Sequence, residues 1–370
     1  MSARFLTVVL ERAFNMRDGF GREIDYMRIS VIDSCNLNCY YCNPCDNNEH
    51  CHALNILSVK EVLCIVRAAT RLGIKHFRLT GGEPLLHPQL DEMVLQIKKI
   101  PGVSSVSLTT NAVLLAQHAK WLKEAGIDSI NVSLDTIDAS EYERITKKPL
   151  LEEVKHGINA AIECGIRVKI NVVLTPQTDV VALTRYVAKK GTDIRFIEMM
   201  PVGEGHTNGV EPYKKVIGTL SKLYGEPCRI NTEKTKEINS ENDKRKIPDN
   251  GPAEYYIFPE LGIRVGLIQA IHGKFCDTCN RIRVTADGRL MPCLGSSVTM
   301  DLVPDSCEFT DDLEKDFVIV QALKAAIKAK PGCHNFDDNA VTYTKTTETK
   351  TTELKAAEVN AARNMSRIGG

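Results

Sequence analysis

From Tyr26 to Cys164, short β-branched runs alternate with longer stretches whose apolar residues recur at three and four spacing, and nothing else in the chain restricts its fold as much. Parallel strands need crossovers, usually helices, so this rhythm predicts βα units around a parallel sheet. Predicted strands run from Met27 to Ile32, His76 to Thr80, Val103 to Leu108, Ser129 to Leu134, Val168 to Leu174 and Ile194 to Met199. Predicted helices run from Val59 to Leu72, Leu90 to Lys99, Val113 to Ala125, Leu151 to Cys164 and Val180 to Lys190. Six such units suit either a partial barrel or an open doubly wound sheet, and periodicity does not choose between them.

The strand ends are more specific. The first strand runs into the loop holding Cys35, Cys39 and Cys42, the second into Gly81-Gly82-Glu83-Pro84, the third into Thr109-Thr110-Asn111, the fourth into Asp135-Thr136 and the sixth into Met200-Pro201. Glycine and asparagine are ordinary turn residues. Polar and ligating groups gathered at the carboxyl ends of parallel strands, however, are where α/β folds place active sites.

Three thiolates in one short loop can hold three corners of a cubane iron–sulfur cluster and leave the fourth iron open to a small molecule. A zinc knot or buried thiol cluster is the other reading of three cysteines. Cys39, Cys42 and Cys45 also make a ferredoxin-like C-x2-C-x2-C, but no Cys-Pro comes after it. The C-x3-C-x2-C spacing, with Tyr41 before its last cysteine, resembles the signature of radical S-adenosylmethionine enzymes, in which that cofactor chelates the open iron. Gly82 would then allow close backbone approach to the cofactor, and Glu83 would accept from its ammonium group. Ser133 and Met200, at later strand ends, would complete the pocket.

Cys276, Cys279 and Cys293 form a second triplet. A structural zinc site is normally closed by four ligands, so three favour a second cluster with an open iron; His272 is the residue that would close a zinc site instead. Arg281 and Arg283 alternate beside these cysteines and share a face if the segment is extended. Such a pair suits a phosphate chain, or equally a solvated strand face. Arg28, Arg78, Lys169 and Arg195 lie within predicted strands, where unpaired burial is rare. If they point inward, they converge with Arg281 and Arg283 on a polyanion.

The chain has 370 residues, 43% of them hydrophobic, enough for a sizeable core in a soluble protein. Its 47 basic and 47 acidic residues cancel, so no global field draws it to nucleic acid or an anionic membrane. No run approaches the ~20 apolar residues of a membrane span. Thirteen cysteines with two metal-spaced groups fit a reducing, cytoplasmic setting over a disulfide framework. Cys45, Cys51, Cys64, Cys164, Cys228, Cys307 and Cys333 are then expected to be mostly free thiols. The expected organisation is an N-terminal extension over 1–16, a barrel over 17–203 and a C-terminal region over 204–370. The last contains a helix from Tyr213 to Tyr224, a hairpin over Tyr255 to Phe258 and Ile263 to Ile268, a helix from Leu313 to Lys330, a flexible insertion near 338–353 and a final helix from Leu354 to Met365. The terminal Gly369-Gly370 is either a loose end or a segment able to thread a narrow space.

From about Arg17 to Gly370 the sequence resembles the GTP 3′,8-cyclases of molybdenum-cofactor biosynthesis, a radical S-adenosylmethionine family. The motifs that carry the resemblance are Asp18-Gly-Phe-Gly-Arg22, the Cys35 loop, Arg78 to Pro84, Arg195 to Gly203, Asn250-Gly-Pro-Ala253, Phe275 to Leu294 and Gly369-Gly370. It implies an α/β fold, a partial (β/α)6 barrel with a C-terminal cluster-binding domain, and two [4Fe-4S] clusters on the two triplets. S-adenosylmethionine would be held by Tyr41, Gly82, Ser133 and Met200, and GTP by Arg28, Arg78, Thr109, Lys169, Arg281 and Arg283, with the Gly-Gly tail entering the site. Cys35, Cys39, Cys42, Arg281 and Arg283 would be the catalytic set. An electron donor of flavodoxin or ferredoxin type and a downstream cyclic pyranopterin monophosphate synthase are the implied partners of a monomer or homodimer. The sequence departs from the family pattern at His76, at Leu86 and His87, and where Cys45 and Cys51 crowd the first loop. A radical enzyme that modifies a peptide also carries auxiliary clusters, but would not need Arg281 and Arg283; a metal-binding or electron-transfer module without catalysis is a further reading.

Overall fold

Tyr-Met-Arg-Ile-Ser, His-Phe-Arg-Leu-Thr and Ser-Ile-Asn-Val-Ser each alternate polar with apolar residues, and each is a strand of one sheet in the computed structural model of the chain. The structure describes residues 16–42, 55–202, 209–230, 251–296, 299–302, 312–334 and 336. The bulk of the N-terminal extension, Cys45, Cys51, Cys307, the insertion near 338–353, the final helix and Gly369-Gly370 lie outside these residues. Six parallel strands succeed one another in space as in sequence: β1 (Tyr26–Ser30), β2 (His76–Thr80), β3 (Ser105–Thr110), β4 (Ser129–Ser133), β5 (Val168–Val173) and β6 (Asp193–Ile197). Between them run α1 (Val59–Arg71), α2 (Leu90–Lys98), α3 (Leu115–Glu124), α4 (Ala139–Thr146), α5 (Leu151–Glu163) and α6 (Val180–Lys189). The α/β class and the six βα units are as the sequence predicts.

Later segments extend this sheet at both flanks. A π-turn (Tyr213–Ile217) leads into α7 (Gly218–Tyr224), so the helix expected from Tyr213 forms in two pieces. β7 (Cys228–Arg229), β8 (Glu254–Ile257) and β9 (Arg264–Ile268) form an antiparallel set whose last strand pairs parallel with β6. β10 (Arg281–Val284) pairs parallel with β1, and β11 (Arg289–Met291) and β12 (Met300–Asp301) continue antiparallel from it. Helix α8 (Asp312–Lys328) packs on α1, where Asp316 meets Arg71 at 3.1 Å.

The two faces of this sheet differ in chemistry. Met27, Ile29, Phe77, Leu79, Ile130 and Phe196 point to the helical side, where each is fully or almost fully buried. Helix α1 shows why the crossovers pack there. Its Ser58 accepts from Glu61 N while Glu61 reaches back to Ser58 N at 2.8 Å, closing a capping box, and Val62, Ile65, Val66 and Ala69 form its buried stripe. Strands in parallel sheets are usually apolar on both faces. Here the alternate residues Arg28, Arg78, Asn131, Lys169 and Arg195 are polar and line an inner cavity of ≈ 380 Å³. This polar inner face is bordered by strands β1 to β6, β9 and β10. No helix among the described residues is long and apolar enough to cross a membrane.

Candidate active site

The first cysteine loop is fastened at both ends. Gly82 N–H donates to Ile32 O and Glu83 N–H to Ser34 O, both at 2.8 Å, which docks the turn after β2 against the backbone leading into Cys35. A Cβ on Gly82 would sit 2.2 Å from Ser34 O, and one on Gly81 would sit 2.3 Å from Ile32 O. These glycines therefore admit the protein's own backbone, not only a ligand. At the other end Tyr41 donates its hydroxyl to Asp135, just past β4, and Asp135 in turn accepts from Val173 N at 2.8 Å. Asn38 and Tyr40 N–H donate to the carbonyls of Thr146 and Ile145 at the end of α4. That short helix, with Tyr142 and Ile145 as its buried apolar side chains, is not among the predicted elements. Asp138 starts it by accepting from Glu141 N at 2.8 Å, and Lys147 ends it in the left-handed region at φ 61°.

Within the loop, Cys35, Cys39 and Cys42 all face the cavity. Leu37 N–H and the Asn111 amide donate toward Cys35 Sγ at 3.5 and 3.7 Å. Burial pushes the Cys35 thiol up to about 11 and, with Cys42 beside it, pushes Cys39 well above the ordinary thiol range. Cys35 and Cys39, desolvated thiols, hold their protons unless a metal cation replaces them, and with Cys42 beside them the donor set fits an iron–sulfur cluster.

Glu83 stands elsewhere than expected. It is fully buried and does not line the cavity: Oε1 accepts from Leu85 N at 3.0 Å and from Thr110 Oγ1 at 2.7 Å, and Oε2 accepts from Asn111 N at 2.7 Å. Burial raises it to about 7 despite these donors. Three of its four lone-pair positions are used in joining the turns after β2 and β3, which leaves one on Oε2. Gly82, Tyr41, Ser133 and Met200 do line the cavity.

The wall is cationic. Strand register sets Arg28 beside Arg78 on one side and Arg283 on the other, while Arg281 lies beside Tyr26. Tyr26 accepts from Arg78 Nε, and Arg78 Nη1 reaches Thr109 Oγ1 at 3.4 Å. Burial and then Arg283 push Arg28 well below the ordinary guanidinium range; burial and then Arg281 lower Arg283 to about 10. Like charges crowded into a desolvated wall are costly until an anion arrives. Farther round, Lys169 Nζ lies 5.9 Å from the Tyr255 ring centroid, and Arg195 Nε donates to Asn171 Oδ1 at 2.9 Å. Gly266 opens the space for Arg195, whose Cγ would lie 2.8 Å from a Cβ there. Among the described residues, Asn131 Oδ1, buried on the same wall, finds no hydrogen-bond partner. Thus Arg28, Arg78, Thr109, Lys169, Arg195, Arg281 and Arg283 share one cavity.

The second triplet shares it too. Cys276 and Cys279 immediately precede β10, and Cys293 comes after β11, whose antiparallel register returns it toward Arg281. Because β10 runs parallel to β1, this triplet lies at the amino end of the strands and the first at the carboxyl end. A five-residue strand separates the two ends by roughly 16 Å. Burial pushes Cys276 up to about 11; in Cys279 the effect of burial is outweighed by Lys330 and Arg281, which hold it below the ordinary range. His272 does not line the cavity with this triplet; its Nδ1 meets Glu198, which also accepts from Ile271 N at 2.7 Å.

Several positions receive no site role from the sequence, although Arg22 ends one of the family motifs. Arg22 is buried against Asp18 at 2.6 Å and donates to the carbonyls of Cys276, Pro331 and Gly332. Lys330, buried after α8, donates to Pro292 O at 2.9 Å, just before Cys293. Asn111 and Asp135 secure the first loop. Their strand-end positions were a signal for the last two; Lys330 carried none. His76 and His87 have structural partners, Ser105 Oγ at 2.8 Å and Leu57 O at 2.9 Å.

Two family models divide the chain between them, Radical SAM superfamily over residues 29–182 and Molybdenum Cofactor Synthesis C over residues 192–336. A GTP 3′,8-cyclase of Clostridium perfringens (strain SM101 / Type A) is 35% identical over 324 residues, 87% of this chain and 95% of the relative. Another, from Pelotomaculum thermopropionicum, is 36% identical across 86% of this chain and 95% of its own. The chain belongs to the GTP 3′,8-cyclase family. Among solved structures, Streptococcus suis SuiB bound to S-adenosylmethionine matches with a TM-score of 0.53 at 15% identity, covering 81% of this chain and 65% of that one. At that identity the likeness concerns the fold alone.

Proposed function

We propose that this chain cyclises GTP to (8S)-3′,8-cyclo-7,8-dihydroguanosine 5′-triphosphate, an early step of molybdenum-cofactor biosynthesis, with two [4Fe-4S] clusters and S-adenosylmethionine. The observation that carries this reading is that Arg28, Arg78, Lys169, Arg195, Arg281 and Arg283 line one cavity together with both cysteine triplets. Cys35, Cys39 and Cys42 hold the first cluster; Cys276, Cys279 and Cys293 hold the second. When bound, these groups and S-adenosylmethionine supply the one-electron chemistry that takes hydrogen from C3′ of the nucleotide, after which C3′ joins C8.

The protein's own part is positioning. Arg28, Arg78, Arg281 and Arg283 bind the triphosphate by charge-assisted contacts, and Tyr26 and Thr109 orient Arg78 for that task. Lys169 and Arg195 close the far side, and the guanine end lies toward the second triplet. Gly82, Ser133, Met200 and Tyr41 border the S-adenosylmethionine end. An enclosed wall keeps water and stray hydrogen donors from a carbon radical. A flavodoxin- or ferredoxin-type donor supplies the electron in the cytoplasm, and a cyclic pyranopterin monophosphate synthase consumes the product.

The anaerobically loaded enzyme, given S-adenosylmethionine, reductant and GTP, is assayed for 5′-deoxyadenosine and for cyclised nucleotide by mass spectrometry. Cys35→Ser is expected to abolish both, and Cys276→Ser to retain 5′-deoxyadenosine while losing the nucleotide product. Identical behaviour of the two variants would remove the proposed division of labour. Turnover of a peptide but not of GTP would replace the substrate.

A further inference from the structure

Cys333 belongs to neither triplet, yet its Sγ lies 3.5 Å from the Sγ of Cys276. The contact is held by the backbone on both sides. Arg22 donates from Nη1 to Cys276 O (2.6 Å) and Gly332 O (3.0 Å), and from Nη2 to Pro331 O (2.6 Å). A single buried guanidinium therefore ties the turn carrying Cys276 to the turn carrying Cys333. Phe20 packs on Gly332 closely enough that a Cβ there would meet its ring at 2.8 Å, which fixes the second turn further. Cys276 is buried at the cavity wall, whereas Cys333 is exposed. An oxidant can thus reach Cys333 first, with Cys276 waiting behind it.

We propose that Cys276 and Cys333 form a reversible disulfide when the second cluster site is empty, making Cys333 the point at which thiol oxidation closes that site to metal. The oxidant class is a small-molecule disulfide. The Cys333 thiolate attacks one sulfur of it, forming a mixed disulfide and releasing one small thiol. The Cys276 thiolate then attacks the Cys333 sulfur, the protein S–S bond forms and the second small thiol leaves. Two protein thiols lose two electrons, the small disulfide gains them, and the two released thiols carry the two protons. A disulfide needs sulfurs about 2.05 Å apart, so they must approach by about 1.5 Å from their present separation. Rotation of the exposed Cys333 side chain on its fixed turn supplies that movement. Cys276 in a disulfide is no longer a thiolate and cannot ligate iron. The loss of metal binding rests on the reading of Cys276 as a cluster ligand; formation of the disulfide does not.

The test uses the full-length chain freed of iron and kept with a chelator, because Cys276, Cys333 and His334 have ligating atoms within 4.8 Å of one another and could retain a metal ion. Oxidised glutathione is added, and peptides are mapped without reduction. A Cys276–Cys333 cross-linked peptide is expected. It should disappear in Cys333→Ser, a variant that leaves both triplets whole. Metal binding is read after removal of chelator and oxidant with cobalt(II), whose thiolate charge-transfer absorption reports the second triplet in a Cys35→Ser/Cys39→Ser/Cys42→Ser background. Oxidation is expected to abolish most of that signal, thiol reductant to restore it, and added Cys333→Ser to make it insensitive to the oxidant. A disulfide joining Cys276 to Cys279 or Cys293 instead, or none at all, overturns the proposal. A Cys276–Cys333 cross-link with undiminished cobalt binding overturns the closure of the site and, with it, the assignment of Cys276 as a ligand.

Discussion

Arg28 on β1 and Arg283 on β10 are register partners across a parallel strand pair, although they come from distant parts of the sequence. The side-by-side placement sets two guanidiniums on one wall, with Arg78 the register partner of Arg28 on its other side. It is the arrangement that crowds like charge on one wall and so favours an anion within the cavity.

Arg283→Met tests both halves of that statement. Removing a charge-assisted contact to phosphate should cost ~1.5 to 3 kcal/mol, a loss of roughly tenfold or more in GTP affinity by equilibrium dialysis. S-adenosylmethionine binding should hardly change. The substrate-free protein should become more stable in urea, because the substitution relieves crowding with Arg28 and Arg281. Lower stability with unchanged GTP affinity would assign Arg283 a structural role.

Gly82→Ala should unseat the first cysteine loop, since the new methyl would sit 2.2 Å from Ser34 O. Reconstituted iron should fall from about eight to about four per chain, with the remaining iron on the second triplet. Full iron in this variant would mean that the turn can give way without disturbing the loop.

Glu83 predicts a pH dependence. Its folded value of about 7 lies above the ordinary carboxylate value, so between those limits the folded state binds its proton more tightly than the unfolded chain. The contribution is greatest below pH ~4.5 and is lost as pH rises to about 7. Stability from urea titrations of the metal-free chain should therefore carry a downward component across that window, on the order of a few kcal/mol. Glu83→Gln should flatten it, at the cost of the bond from Asn111 N. An unchanged slope in that variant would assign the titration to other groups.

Arg22→Ala should be among the most damaging substitutions away from the cavity. It leaves Asp18 buried without its partner, and breaking such a pair costs about 3 to 5 kcal/mol. The carbonyls of Cys276, Pro331 and Gly332 lose their common donor, so iron should be lost from the second triplet before the first. Cluster spectra of the two triplets, resolved with Cys35→Ser and Cys276→Ser as references, would show an equal loss from both if Arg22 merely supports global folding.

The sequence by itself determined the six βα units, because β-branched runs and amphipathic helices are local patterns that packing reinforced. It also determined the two triplets and the conspicuous cations in the strands. A further signal lay in the strands themselves: Arg28, Arg78, Asn131, Lys169 and Arg195 alternate with apolar residues, which in a parallel sheet marks a polar interior. Tertiary structure alone decided the rest. Whether a glutamate after two glycines faces a ligand or the protein depends on donors from β3, and Thr110 and Asn111 claim Glu83. Whether Cys333 is an idle thiol depends on Arg22, which reaches two turns far from it in the chain. Such outcomes turn on which buried polar group finds which partner. That is settled by distance in the folded molecule, and spacing along the chain does not record it.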